Sequence, residues 1–119
     1  MRVQCPNWFD VDRIQVLLNG LAAEELNFRR REHPAKFSQQ SVRFDQKIPI
    51  QLDVDSHMIV VAVGEDSVLG SVMGPDHEQD RPIAVSNPIF IDVHGDGFKS
   101  NGDMLGLEVP YLREGERQQ

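Results

Sequence analysis

Residues 41–55 place the tightest constraint on what this chain folds into. The even positions read Val42, Phe44, Gln46, Ile48, Ile50, Leu52 and Val54, and six of these seven are apolar. The odd positions, Ser41, Arg43, Asp45, Lys47, Pro49, Gln51, Asp53 and Asp55, carry no large hydrophobe. Successive side chains of a strand point to opposite faces, so this pattern buries one face and wets the other. Pro49 has no N–H to give a ladder and belongs at an edge or a bend. The segment therefore predicts two strands, or one long strand bent near residues 47–49.

The same period recurs elsewhere. In Val11–Leu18, Ile14, Val16 and Leu18 share a face opposite Arg13 and Gln15, and Asn19-Gly20 follows as a hairpin turn signal. Met58–Val63 is apolar throughout and predicts a central strand covered on both faces. Pro88–Val93 puts Ile89, Ile91 and Val93 on one face, and Leu105–Val109 predicts a last short strand. Residues 1–4 read as part of a strand, so the chain opens as at a domain boundary, with no signal-peptide pattern.

Residues 22–31 are ambiguous. Ala22-Ala23-Glu24-Glu25 favours helix, whereas Leu26-Asn27-Phe28 starts a strand. The preferred reading is a turn and then a strand over Leu26–Arg30, with a two-turn helix as the alternative. His33–Phe37 reads as a short helical turn. Gly64–Asn87 is a long connection bearing an apolar patch, Val68-Leu69 with Val72-Met73, which either packs over an open end of the fold or docks on a partner. Many short strands, turn signals and little helix predict an all-β fold, an immunoglobulin-like β-sandwich of about seven strands with one long loop. The domain spans residues 1–112, and the charged residues 113–119 form a frayed tail.

Composition narrows the partners. The 119 residues suit one domain, and no apolar run approaches the ~18 residues of a membrane helix. Net charge is −7, and the one basic cluster, Arg29-Arg30-Arg31, is followed at once by Glu32. That balance argues against nucleic acid and against a membrane surface, and places the arginines on a solvated edge. The single cysteine, Cys5, forms no intrachain disulfide and reads as a buried, inert thiol. Trp8 reads as a cap on the core.

One stretch offers ligand chemistry. From Asp92 the sequence follows the calcium-loop pattern D-x-[DN]-x-[DN]-G-x5-E, with Asp92 at position 1, Asp96 at 5, Gly97 at 6 and Asp103 at 12. Phe98 would offer its carbonyl at position 7, and Ser100 stands at position 9. His94 occupies position 3, where an oxygen ligand is usual, and Asp103 is one methylene shorter than the usual Glu. Two readings stay open: a Gly-Asp-Gly turn with solvated carboxylates, or a calcium site using Asp92, Asp96, Phe98 and Asp103. Asp10 and Asp12, two apart, share a face and read as solvated, with a second cation site as the alternative.

Catalytic patterns are missing. His33, His57, His77 and His94 form no H-x-H or H-E-x-x-H motif, and His94 with Asp92 is the one pair placed on a shared strand face. No G-x-S-x-G elbow or phosphate-binding glycine loop occurs. No residue is assigned a catalytic or cofactor-binding role.

Three segments together resemble a known family. Cys5-Pro6-Asn7-Trp8-Phe9-Asp10-Val11-Asp12 running on to Asn19-Gly20, His57–Gly64, and Ser86-Asn87-Pro88-Ile89-Phe90-Ile91-Asp92 with its acidic glycine loop are similar in order and spacing to the C-terminal domain of some metal-dependent hydrolases of the PHP (polymerase and histidinol phosphatase) type. The relevant branch is carbaryl-hydrolase-like, and its members commonly carry Asp where this chain has His94. The resemblance implies a β-sandwich appended to a metal-dependent phosphoesterase. The family's metal ligands, an H-x-H motif included, lie in the preceding domain, and no position here matches them.

The expected function is therefore a non-catalytic accessory or interaction module whose partner is the preceding catalytic domain of the same parent chain. The alternative is a calcium-stabilised module for a polysaccharide or protein ligand. Exposed edge strands would permit a homodimer. The resemblance and the calcium-like loop imply an extracytoplasmic location.

Overall fold

The computed structural model describes residues 1–100. Seven strands and two 3-10 turns make up its regular structure, so the all-β, two-sheet, sandwich-like fold is as expected. The strands are β1 (Arg2–Gln4), β2 (Arg13–Leu18), β3 (Leu21–Arg29), β4 (Val42–Asp45), β5 (Ser56–Val63), β6 (Ile83–Val85) and β7 (Ile89–Ile91). The 3-10 turns are Pro34–Lys36 and Ser71–Met73; the first is the helical turn expected at residues 33–37.

β1 and β4 pair antiparallel as a two-stranded sheet. The larger sheet runs β3-β2-β5, and β6 and β7 follow one another along the far side of β5. Asn19 (φ 52°) and Gly20 (φ 78°) both adopt the left-handed conformation that a tight β2–β3 hairpin requires, which is why this dipeptide stands there.

The hairpin strand starts earlier than the sequence suggests. β3 opens at Leu21 rather than Leu26, and neither the turn nor the helix alternative over Ala22–Glu25 forms. Pairing with β2 overrides the local helix preference, because Leu17 faces Ala22 and Leu18 faces Leu21. A bulge takes up the misfit: Gln15 faces Asn27, yet Leu17 faces Ala22. The buried Gln15 amide seals it, donating from Nε2 to the carbonyls of Val16 (2.9 Å), Ala23 (3.2 Å) and Leu26 (3.4 Å).

The core lies between the two sheets. Ile14, Phe28 and Ala62 of the large sheet meet Phe44 of β4, together with Cys5, Val11 and Phe37 from the connections. Met1, Val3, Ile48 and Val60 pack against this cluster. Phe44 sits between Phe28 and Phe37, with ring centroids 5.9 and 5.1 Å away.

Several expectations are corrected. Of residues 41–55 only β4 joins a ladder; the rest is irregular. The alternation nevertheless persists in burial, since Gln46, Ile48, Ile50 and Leu52 are half-buried while Lys47, Pro49 and Gln51 are exposed. Two odd positions expected in solvent, Arg43 and Asp55, are buried, and Val54 is exposed. β5 is central in hydrogen bonding, but His57–Val61 are only half-buried, so it is not covered on both faces. Trp8 does not cap the core; it is 53% exposed and meets Phe9 edge to face. The strand expected over Pro88–Val93 is confined to Ile89–Ile91, and β6 interrupts the long connection. Val68, Val72 and Met73 are exposed rather than packed over an end. The strand expected at Leu105–Val109, and the tail at 113–119, lie outside the described residues.

Candidate functional site

The calcium-like loop leaves β7 at Ile91 and turns at once, so Asp92 and His94 lie in a bend rather than together on a strand face. Gly95 (φ 71°) and Gly97 (φ 96°) supply the left-handed backbone that curls the loop. Three N–H groups thereby converge on Asp92: Gly95 (2.8 Å) and Asp96 (3.3 Å) donate to Oδ1, and Gly97 (2.6 Å) donates to Oδ2.

A residue that sequence reasoning placed in solvent completes the site. Asp55, buried just ahead of β5, accepts the Val93 N–H on Oδ1 (2.9 Å) and the Lys99 N–H on Oδ2 (2.7 Å). These backbone hydrogen bonds favour the charged carboxylate and hold Asp55 below the usual carboxylate range. Carboxylate oxygens of Asp55, Asp92 and Asp96 lie within 4.8 Å of one another, and this is the one grouping of metal-competent side chains among the described residues.

Of the four residues expected to hold calcium, the structure brings Asp92 and Asp96 together. Phe98 turns its ring onto Phe90, with centroids 5.0 Å apart, and Asp103 lies outside the described residues. Lys99 Nζ donates to Asp96 Oδ2 at 2.7 Å, so an ammonium already neutralises part of the cluster. His94 lines the adjoining cleft with Val54, Asp55 and Ser100. Three carboxylates suit a hard, oxygen-seeking cation in chemistry, and the loop's own amides and Lys99 also hold them without one. No sequence signal marked Asp55, because its partners are 38 and 44 residues away.

A second charged region lies beyond the other end of β5. Asp10, Asp12, Arg30 and Glu65 line a cleft there with Arg29, Arg31 and Asp66. Of the arginine cluster only Arg31 is exposed as expected; Arg29 and Arg30 are half-buried and paired. Arg30 Nη2 donates to Asp10 Oδ1 (3.0 Å), and Arg29 reaches Glu24 and Glu32 at 3.5 and 3.6 Å. Asp10 and Asp12, expected in solvent, are half-buried and hydrogen-bonded, and they form no metal-competent group among the described residues. Asp12 accepts the amides of Glu65 (2.8 Å) and Asp66 (3.2 Å), fixing the turn after β5. Asp10 also takes the Nε proton of the buried Arg43 (3.0 Å).

Arg43 spends its remaining donors on the carbonyls of Gln39, Gln40, Pro6 and Phe9. That set matches the full donor capacity of a guanidinium and ties the β1–β2 and β3–β4 connections together. Arg13 pairs with Glu65 at 2.5 Å, and this hydrogen bond holds the Glu65 carboxyl below its ordinary range. The Nε atoms of Arg29 and Arg30 are buried without a hydrogen-bond partner among the described residues. The region is a structural ion network. Cys5 is buried as expected; burial pushes its thiol up, away from the reactive thiolate.

The outer face of the large sheet also exposes apolar side chains. Register puts Val61 beside Val85 and Val63 beside Ile83, and places His57 beside Phe90. All lie opposite the face on which Val60 and Ala62 meet the core. Ile83 is 66% exposed, Val85 62%, Phe90 61% and Phe98 41%.

Comparisons with known protein families, with curated proteins and with solved structures find no match to this chain.

Proposed function

We propose that this chain is a non-catalytic accessory β-sandwich that docks on another folded domain of its own parent polypeptide. The reading is supported by the outer apolar face, where Ile83, Val85, Phe90 and Phe98 stand exposed beside Ile59, Val61 and Val63. Contiguous apolar surface of this kind marks contact sites on folded proteins. The resemblance to the C-terminal domains of PHP-type hydrolases supplies the partner: the catalytic domain that precedes such modules.

The test is binding of this chain to a separately expressed PHP-type catalytic domain of its parent protein. Val85→Asp combined with Phe90→Asp is expected to weaken binding at least tenfold and leave the melting temperature within a few degrees. Absence of binding by the unaltered chain overturns the proposal.

A second reading is favoured by the arrival of Asp55 beside Asp92 and Asp96: a calcium-braced module for an external polysaccharide or protein ligand. A rise in melting temperature in millimolar calcium, abolished by Asp92→Ala, supports it. A flat response removes it.

A further inference from the structure

The turn between β2 and β3 is an Asn-Gly step, and its asparagine reaches across to β5. Pairing of β2 with β5 ends at Leu18 opposite Met58. Asn19 carries that ladder one residue further, because its own N–H donates to the His57 carbonyl at 2.9 Å. Its side chain adds two more contacts. The His57 N–H is a donor only, so it meets Oδ1 (3.1 Å), and this turns Nδ2 onto the Ser56 hydroxyl (3.3 Å). Ser56 is buried and gives its own proton to the Val54 carbonyl at 2.9 Å. Hydrogen bonds from both backbone and side chain thus clasp Asn19 to the first residues of β5. Asp55, which holds the amides of Val93 and Lys99, is the next residue back along the chain.

The same dipeptide is chemically reactive. The nitrogen of Gly20 can attack Cγ of Asn19, and glycine leaves that nitrogen unhindered because it carries no Cβ. A bond forms between Gly20 N and Asn19 Cγ, the bond from Cγ to Nδ2 breaks, and Nδ2 leaves as ammonia with the proton of the Gly20 amide. Water then opens the resulting ring at one carbonyl or the other, giving aspartate or an isoaspartyl linkage. Ring closure needs the nitrogen and Cγ in contact and aligned. Gly20 is exposed at the tip, within reach of water and base. Both polar atoms of the Asn19 amide are held on β5, so Cγ turns to Gly20 only when the Ser56 and His57 contacts let go. Neither product restores the clasp. Aspartate presents oxygen where the fold uses Nδ2, and the single Ser56 proton cannot serve both that oxygen and the Val54 carbonyl. An isoaspartyl linkage lengthens the main chain of a turn that closes tightly between Leu18 and Leu21.

We propose that Asn19 is a deamidation site gated by β5: the clasp suppresses ring closure in the folded chain, local opening of this end of β5 permits it, and the product makes that opening permanent. The test is peptide mapping by mass spectrometry of the full chain after incubation in mildly alkaline buffer, beside the same chain unfolded in urea. Deamidation at Asn19 is expected to run at least about tenfold slower in the folded chain. Ser56→Ala removes the acceptor of Nδ2, leaves Asn19-Gly20 intact, and is expected to raise the folded rate about tenfold. Gly64→Ala, which disturbs the other end of β5, is the control: below its melting transition it leaves the rate at Asn19 within about twofold of the unaltered chain. Exchange of the His57 amide follows the same order, because the same contacts must open. Reaction at Asn19 as fast in the folded chain as in urea, or none in either, overturns the proposal. Equal acceleration by Ser56→Ala and Gly64→Ala also overturns it, because protection would then come from global stability and not from the clasp.

Discussion

β5 carries β2 along one edge and β6 with β7 along the other, and the two flanks differ in what lies over them. On the β2 flank Ile14 and Val16 are fully buried, and Phe28 and Phe44 close the layer. On the far flank the ladder is just as regular, with Val61 facing Val85 and Met58 facing Ile89, yet Ile83, Val85, Ile89 and Phe90 are all exposed. Hydrogen bonding fixes where a strand lies; only a second layer decides whether its side chains leave water. On the core-facing side the small sheet reaches over the first flank and stops short of Ala84 and Ile89 on the second, while Ile83, Val85 and Phe90 lie on the outer face, over which no second layer stands among the described residues. A packed flank and an exposed apolar flank are thereby separated within one sheet.

The sharpest way to break this division is at its packed end. Phe44→Ala removes a ring that is 1% exposed and wedged between Phe28 and Phe37. Thermal or denaturant unfolding is expected to show a loss of about 3–5 kcal/mol. Arg43→Ala comes next. It strips Asp10 of one of its two guanidinium partners and leaves the carbonyls of Pro6, Phe9, Gln39 and Gln40 without their donor. A loss of about 3 kcal/mol is expected, because breaking a buried ion pair leaves polar groups uncompensated. A change below about 1 kcal/mol would show that the network tolerates water and is not a structural tie.

Gly64→Ala probes the joint where β5 leaves the sheet. A Cβ there would strike the Asp10 carbonyl oxygen and come within 3.0 Å of the Pro82 ring. The backbone oxygen cannot swing aside as a flexible side chain would. The expected cost is about 1–3 kcal/mol, read as a lowered denaturant midpoint with an unchanged slope.

How much of this was legible in the chain follows from the same division. Arg13–Leu18 and Asn19-Gly20 could be read because alternation and turn chemistry are local. Ala22–Glu25 could not, because its local preference is helical and only pairing with Leu17 and Leu18 makes it a strand. The alternation through Leu52 was real as burial but not as a ladder: β4 ends at Asp45, and Pro49 cannot donate. In the acidic loop, Asp92 and Asp96 were legible from the spacing of Asp and Gly. Asp55 was not, because alternation placed it in solvent and its partners, the amides of Val93 and Lys99, come from the other end of the chain. Arg43 failed for the same reason: a charged residue on the wet register is buried by two connections, β1–β2 and β3–β4, that no local pattern announces.

The smallest expected effect tests the exposed flank through pH. Asp55 is held as a carboxylate by two backbone donors, which lowers its proton affinity in the folded chain relative to the unfolded one. A group depressed in this way adds stability above its unfolded titration range, and that contribution is lost as pH falls through the lower folded value. Melting temperature should therefore drop below about pH 4. Glu65, depressed by Arg13, contributes to the same drop from the opposite end of β5. Asp55→Asn separates the two. It cannot present two acceptor oxygens to the Val93 and Lys99 amides, so it lowers the melting temperature at neutral pH and flattens the acid-side fall, whereas Glu65→Gln flattens the fall and leaves the acidic loop in place. Amide exchange at Val93 and Lys99 reads the local part directly: it should quicken in Asp55→Asn and stay unchanged in Glu65→Gln. Equal quickening in both variants would mean that the loop opens only with the whole sheet, and the two ends of β5 would then be one cooperative unit rather than a packed flank and a separate exposed flank.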